Sequence, residues 1–167
     1  MTTEAISLAE ARSSDPELSL PRTRPSKIKT VLLATDLTAA STVATEQAID
    51  LAASIAARLL VVNVIDEGQG TGRLAPYSGV VRVDQQRASR EGPLLNIVEH
   101  ARMRGIDAAF LLWTGEPATG IIAAAEAEGA DLIVVGTRGM DRAGRLLLGS
   151  VSDYVVYHSA CPVLVAH

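Results

Sequence analysis

Short apolar runs alternate with segments of helical periodicity along most of the chain. The apolar runs have the length of β-strands and lie at 27–36, 59–65, 108–113, 132–135 and 162–165. Apolar residues at helical spacing predict helices from Thr38 or Ser41 to about Arg58, and over 83–104, 117–128 and 150–159. The run Leu59-Leu-Val-Val-Asn-Val-Ile65 is apolar at all but one position and predicts a strand that is buried on both faces.

This alternation of strands and helices predicts an α/β fold. We expect a mainly parallel sheet with right-handed crossovers and helices on both faces. Ligands bind such sheets beyond the carboxyl ends of the strands, where the winding reverses. The strand orders 3-2-1-4-5 and 2-1-3-4-5 both fit the pattern. In the first order, strands 1 and 4 are neighbours, and Asp36 and Gly136 face one crevice from its two sides.

Two segments lack this periodicity. Residues 1–26 are rich in Ser, Thr, Arg, Glu and Pro and poor in large apolar residues, which predicts a flexible tail before a single domain at 27–167. Residues 67–79 contain four glycines and a proline, which predicts a loop. The pair Gly92-Pro93 is expected to delay or kink the start of the helix that follows.

A glycine-containing loop follows the fourth predicted strand. The sequence Gly136-Thr-Arg-Gly139 is separated by nine residues from Gly149-Ser150-Val151-Ser152, where a helix begins. Backbone N–H groups and the positive end of the helix dipole converge there, which favours a bound phosphate. Glycine permits a positive φ or a close approach to an anion. The Walker loop and the dinucleotide-binding fingerprint are both absent.

Each candidate residue also has a purely structural interpretation. Ser150 and Asp153 form the pattern of a capping box, which would occupy the same N–H groups as a phosphate. Asp36 is either a residue at a strand end or a hydrogen-bond acceptor for ribose or adenine. A triphosphate needs positive charge, which either an arginine of the loop or Mg²⁺ would supply. The loop arginines are Arg138, Arg142 and Arg145.

Composition narrows the class of protein further. The net charge of −4 argues against nucleic acid or an acidic membrane surface as the main partner. No apolar run approaches the roughly 20 residues that span a bilayer. The single cysteine, Cys161, cannot form an internal disulfide, which is typical of a cytoplasmic protein. The three histidines lack the spacing of metal ligands, so no metal site is expected from them.

Together, these motifs resemble the universal stress protein family, in its ATP-binding subgroup. The glycine loop with the pattern G-x-x-G, nine residues, then G-[ST] resembles the family's ATP-binding loop. The end of the first strand, Thr35-Asp-Leu-Thr38, resembles the family's Asp-x-Ser/Thr, and Gly115-Glu-Pro117 resembles its Gly-x-Pro. The closing segments 146–152 and 161–165 are similar as well, so the resemblance covers about 27–167.

The resemblance implies a Rossmann-like, adenine nucleotide alpha hydrolase-like fold with strand order 3-2-1-4-5. It implies that Asp36 lies at the adenine–ribose end of ATP and that Val64 and Ile65 offer backbone contacts to adenine. The ribose and phosphates would then lie against residues of the glycine loop and the helix after it: Gly136, Arg138, Gly139, Gly149, Ser150, Val151 and Ser152. The cofactor implied is ATP with Mg²⁺.

Three functions remain open from the sequence. The first is a regulatory ATP-binding module in stress adaptation, with little or no hydrolysis, which acts on an unidentified protein partner. The second is a weak ATPase or an autophosphorylating phosphotransferase. The third is a dimeric interaction protein that binds no nucleotide. We also expect a homodimer, because the last strand, from Pro162 to Val165, is apolar and would lie at an open sheet edge.

Overall fold

A computed structural model describes residues 27–66, 77–137 and 149–167. The strands within these residues are β1 (Thr30–Ala34), β2 (Arg58–Ile65), β3 (Ala108–Thr114), β4 (Leu132–Gly136) and β5 (Val163–Ala166). The helices are α1 (Thr42–Ile55), α2 (Tyr77–Met103), α3 (Pro117–Ala127) and α4 (Ser150–His158), and a 3₁₀ turn at Ala39–Ser41 precedes α1. Residues 1–26, predicted as a flexible tail, lie outside the described residues.

The strands form one parallel sheet in the order β3-β2-β1-β4-β5, which confirms the α/β fold and the 3-2-1-4-5 order. At the carboxyl end of β1, Ala34 pairs with Val62 of β2 on one side and with Val135 of β4 on the other. The ends of these three central strands therefore lie side by side at the edge where the winding reverses.

The core has two layers, one on each face of the sheet. Alternate residues of a strand point to opposite faces, so Val31 and Leu33 pack in one cluster and Leu32 and Ala34 in the other. Helices α1 and α2 cover the first face, while α3 and α4 cover the second. The helices thus lie on both faces of the sheet, as the alternation of the sequence predicts.

The predicted end of the first helix and the predicted start of the second were wrong. The first helix ends at Ile55, and Arg58, its predicted end, already begins β2. Helix α2 begins at Tyr77, so the last three residues of the predicted loop 67–79 are helical, and the predicted start at Val83 is six residues late. The helix also continues through Pro93. Pro93 is exposed, so its ring meets solvent and not the core.

Glycine and proline residues stand at the ends of two helices. Gly105 follows α2 with φ 79° and Gly129 follows α3 with φ 61°, conformations that favour glycine. Pro117 is the first residue of α3, a position where the missing N–H costs nothing. These residue types thus fit the backbone that each helix end requires.

Candidate functional site

A cavity of about 710 Å³ lies beyond the carboxyl ends of the three central strands. Its walls come from the turn after β1, the ends of β2 and β4, one face of α2, and the first residues of α3 and α4. This position is the one that a parallel sheet with a reversal of winding offers to ligands. The fold therefore brings together segments that are far apart in the sequence.

The turn after β1 holds Asp36 at this cavity. Asp36 Oδ1 accepts hydrogen bonds from the Thr38 backbone N–H at 3.0 Å and from Thr38 Oγ1 at 2.7 Å. The buried Thr35 hydroxyl accepts from the Leu37 N–H at 3.1 Å and lies 2.9 Å from Ser41 Oγ. Leu37 has φ 63°, a strained conformation for leucine. Hydrogen bonds within the turn therefore fix its conformation and hold the Asp36 carboxylate at the cavity.

The start of α4 forms the opposite wall. Gly149, with φ −64°, is the residue that precedes the helix, and no described side chain caps the helix. The predicted capping box was wrong: Ser150 is already helical, and Ser152 Oγ donates to the Gly149 carbonyl at 2.9 Å. The first N–H groups of a helix have no partner within it. Among the described residues, no side chain occupies those N–H groups of α4.

The two described glycines of the loop have ordinary backbone conformations. Gly149 has a negative φ, and Gly136 is not among the residues with positive φ. A Cβ on Gly136 would lie 3.5 Å from Ala44 Cβ, which is an ordinary contact. Of the two roles predicted for these glycines, a positive φ is therefore not used at Gly136 or Gly149, and a close approach to an anion stays a prediction.

The structure brings six of the predicted site residues to the cavity wall: Asp36, Val64, Gly136, Gly149, Val151 and Ser152. Ile65 is fully buried, and its carbonyl accepts from the Gly115 N–H at 3.0 Å. Ser150 is exposed and does not line the cavity. Arg138 and Gly139 lie outside the described residues.

Several polar residues of the cavity wall were not predicted from the sequence, among them Asn63, Arg90 and Gln86. Asn63 is 1% exposed and donates from Nδ2 to the Thr35 carbonyl at 2.7 Å. Arg90 Nη1 donates to Asn63 Oδ1 at 2.5 Å and to the Val64 carbonyl at 3.3 Å. Gln86, one helical turn before Arg90, also lines the cavity. The signal that could have found this cluster is the amide of Asn63 in an otherwise apolar strand.

Glu116 lies next to the cavity but has a structural role. Its carboxylate precedes α3 and accepts from the N–H groups of Thr119 at 2.8 Å and Ala118 at 3.1 Å. The bond from Thr119, followed by that from Ala118, holds the pKa of Glu116 below its usual value. The Glu116 carboxylate is therefore used to cap α3.

Metal ligands and membrane-spanning helices also bear on the class of site. The part of the chain at 27–66, 77–137 and 149–167 contains no group of three or more His, Cys, Asp or Glu side chains arranged to hold a metal ion. No helix in these same ranges is long and apolar enough to cross a membrane.

Comparison with known proteins finds the same family by a family model and by a curated relative. The model of the universal stress protein family matches residues 27–167. Universal stress protein MJ0531 of Methanocaldococcus jannaschii is 31% identical over 147 residues, which cover 88% of this chain and 86% of that protein.

Solved structures share the same fold. Universal stress protein UspA from Lactobacillus plantarum superposes with a TM-score of 0.73 at 23% identity, over 84% of this chain and 99% of that chain. A universal stress protein in complex with cAMP superposes with a TM-score of 0.62 at 26% identity, over 85% of this chain and 98% of that chain. The second of these proteins is thus bound to an adenine nucleotide.

Proposed function

We propose that this chain, which belongs to the universal stress protein family, binds ATP with Mg²⁺ in the cavity beyond β1, β2 and β4. In this proposal the protein is a regulatory module in stress adaptation that changes its interaction with a protein partner when the nucleotide is bound. The lone Cys161 favours a cytoplasmic location for this role.

The observation that carries the proposal is the start of α4 at the cavity wall. Its N-terminal N–H groups meet no capping side chain among the described residues, and Gly149 leaves them accessible. A helix N-terminus of this kind attracts phosphate through its N–H groups and its dipole. The relative bound to cAMP supports a ligand that combines adenine with phosphate.

The opposite wall of the cavity suits the nucleoside. Asp36 offers carboxylate oxygens to the ribose hydroxyls, which donate hydrogen bonds. Strands β2 and β4 lie on either side of β1, so their ends are about 10 Å apart at two strand spacings. That separation allows the base to lie at β2 while the phosphates lie at α4.

We expect little or no hydrolysis of the bound ATP. Tight binding that is equal for ground state and transition state does not accelerate phosphoryl transfer. Acceleration needs a positioned nucleophile and groups that stabilise the developing charge. Steady release of phosphate at rates well above the uncatalysed rate would favour the alternative, a weak ATPase or autophosphorylating enzyme.

Titration calorimetry with Mg-ATP tests the proposal. We expect a micromolar dissociation constant, which corresponds to about 8 kcal/mol. Gly149→Val should weaken binding at least about tenfold, because its side chain obstructs the N–H groups that hold the phosphates. Ala53→Val is the control, because Ala53 is exposed on α1 and lies outside the cavity wall.

A second measurement separates nucleotide binding from a purely dimeric interaction protein. Heat denaturation of protein purified without added nucleotide should release material with adenine absorbance and the mass of ATP. If the supernatant is empty, millimolar Mg-ATP should still raise the melting temperature. An empty supernatant together with an unchanged melting temperature would refute the proposal.

A further inference from the structure

Strand β2 extends past the end of β1 and places a buried amide beside the turn that carries Asp36. Ala34, the last residue of β1, pairs with Val62, and Asn63 is the next residue of β2. Asn63 is 1% exposed, and Val61, two residues earlier on the same face of the strand, belongs to the apolar core. A polar side chain at such a position costs free energy unless hydrogen bonds satisfy it.

The Asn63 amide joins two segments that form different walls of the cavity. Its Nδ2 donates to the Thr35 carbonyl at 2.7 Å, and its Oδ1 accepts from Arg90 Nη1 at 2.5 Å. Thr35 directly precedes Asp36 in the turn after β1, whereas Arg90 belongs to α2, and all three residues line the cavity. The two bonds connect residues that are 28 and 27 positions apart in the sequence. One side chain thus fixes the position of both walls relative to β2.

The position of Arg90 depends on this amide. The other hydrogen bond of Arg90, to the Val64 carbonyl, is longer, at 3.3 Å. Among the residues that the structure describes, no carboxylate forms an ion pair with Arg90. The bond to Asn63 is therefore the shorter of the two bonds that hold the guanidinium. Because the amide donates to one wall and accepts from the other, a change at either wall alters the geometry at the other.

We infer that Asn63 is a positioning residue for the nucleotide: its amide ties the turn that carries Asp36 to Arg90 of α2, and so holds the Asp36 carboxylate where the ribose hydroxyls reach it. Asn63 acts through these partners and needs no contact with the ligand. A buried polar network whose members are all satisfied specifies one arrangement of the groups it joins. This inference rests on the proposed function, because it assigns the residue that sets one contact of the nucleotide proposed to bind there.

The test compares ATP with dideoxyadenosine triphosphate, which lacks both hydroxyl groups of the ribose. Dissociation constants of both nucleotides are measured by titration calorimetry with Mg²⁺. The wild-type protein should bind ATP about tenfold more tightly, a ratio within the range of hydrogen bonds to a charged acceptor. In Asn63→Leu, which keeps the approximate size of the side chain but removes both hydrogen bonds, the ratio should fall to about twofold or less. Asp36→Ala should lower the ratio to the same level, because it removes the acceptor itself.

Two further variants divide the role of the amide. Asn63→Asp keeps an acceptor for Arg90 but has no donor for the Thr35 carbonyl, so the preference for ATP should fall to about twofold, as in Asn63→Leu. Arg90→Met leaves the bond to Thr35 in place and removes the partner on α2, so the preference should fall less, to about fivefold. Added to Asn63→Leu, Arg90→Met should lower the preference no further, because the two residues act through one network.

Val61→Ala is the control for a loss of stability alone. Val61 is fully buried on the same strand and lies outside the cavity wall. Its truncation should lower the free energy of unfolding, measured by urea denaturation, because it leaves a cavity in the core. The tenfold preference for ATP should nevertheless remain, since Val61 does not hold the turn that carries Asp36.

The outcomes separate this inference from the proposed function. If the wild-type protein binds ATP but the Asn63 variants keep the tenfold preference, the inference is overturned and the proposed function stands. The same conclusion follows if Val61→Ala loses the preference equally, or if the wild-type protein does not distinguish the two nucleotides. Should the Asn63 variants fail to fold, an unchanged preference in Arg90→Met overturns the inference. If the wild-type protein binds neither nucleotide, the proposed function fails and this inference fails with it.

Discussion

Thr35 is the residue that stabilises the turn carrying Asp36. Its buried hydroxyl accepts from the Leu37 N–H and contacts Ser41 Oγ. Thr35→Val keeps the shape of the side chain but leaves the Leu37 N–H without its partner. We expect the free energy of unfolding to fall by about 1 kcal/mol, the cost of an unmade hydrogen bond. Urea denaturation measures this change, and ATP affinity should fall with it because Asp36 loses its support.

Thr42→Val provides the comparison for Thr35. Thr42 is the exposed first residue of α1, so the same chemical change there should alter stability by less than about 0.5 kcal/mol. Equal losses of stability in the two variants would contradict the role assigned to the Thr35 hydroxyl.

Asp131 connects the starts of two strands through backbone hydrogen bonds. Its Oδ2 accepts from the N–H groups of Lys29 at 2.8 Å and Thr30 at 2.9 Å. These two bonds, that from Lys29 first, hold the pKa of Asp131 below its ordinary value. A lowered pKa in the folded state stabilises the fold above the pKa of the unfolded chain. That stabilisation is lost as the pH falls toward the folded-state pKa.

The Asp131→Asn variant tests this linkage. In the wild-type protein, part of the loss of stability below about pH 4 comes from protonation of Asp131. We expect Asp131→Asn to be less stable than wild type at pH 7, with the difference shrinking as the pH falls from about 4 toward 2. The effect is small, because water screens this carboxylate. Urea denaturation at several pH values measures it, and a difference that stays constant with pH would contradict the account.

The residues of the site differ in how far sequence reveals them. Asp36 and Gly149 follow from local rules, since one ends a predicted strand and the other precedes a predicted helix. Asn63 and Arg90 meet only in the fold, 27 positions apart in the sequence. Gln86 is a polar residue on a helix face that looks solvated until its neighbours are known. Long-range pairing of this kind leaves no periodic signal.

At the scale of the element, the residue that ends α1 has an unfavourable backbone conformation. Ala56 follows the helix with φ 54°, a left-handed conformation that costs a residue with a Cβ about 1 kcal/mol or more. Ala56 is exposed, so Ala56→Gly loses no packing. We expect it to raise the free energy of unfolding by about 0.5–1 kcal/mol, measured by urea denaturation.

Ala53→Gly is the matched control for this helix end. Ala53 is exposed inside α1, where glycine costs about 1 kcal/mol relative to alanine. The two identical substitutions, three residues apart, should therefore change stability in opposite directions. A loss of stability in both variants would contradict the conformation assigned to Ala56.

The elements were predictable where composition and periodicity agree. Strands of Val, Leu and Ile stand out from helices that carry Ala and charged residues, so their order and type followed from the sequence. The start of α2 could not be predicted, because its first turn contains Gly79 and shows no apolar periodicity. The capping box at Ser150 was wrong because a four-residue pattern does not fix which residue precedes the helix. Gly149 takes that position.

At the scale of the whole molecule, β5 is an edge of the sheet. Leu164 at its centre is 38% exposed. In the described sheet, β3 and β5 are the two edge strands, and each has one side without a neighbouring strand. We predict a homodimer through β5 and the preceding Pro162, because an exposed apolar edge pairs readily with its copy. Light scattering at micromolar concentration should give twice the mass of the chain.

Two charge substitutions locate the predicted interface. Leu164→Glu should shift the mass toward that of a monomer, since a charge on an edge strand opposes pairing. Leu95→Glu introduces the same charge on α2, where Leu95 is 42% exposed, and should leave the mass unchanged. A dimer that withstands Leu164→Glu would place the interface elsewhere.

The location of the site also belongs to the whole molecule. The alternation of elements predicted a crevice at the reversal of winding between β1 and β4, and the cavity lies there. The contribution of α2 to its wall was not predictable, because it depends on how the helix crosses the end of β2. Topology therefore determines where a ligand can bind, while side chains from a distant helix determine the chemistry it meets.

A crystal structure of the protein grown with Mg-ATP tests the central claim most directly. We predict density for the triphosphate at the first N–H groups of α4, beside Gly149, with the ribose at Asp36 and the base toward β2 and α2. A structure in which that cavity holds only water, or is filled by the protein's own side chains, would contradict the account.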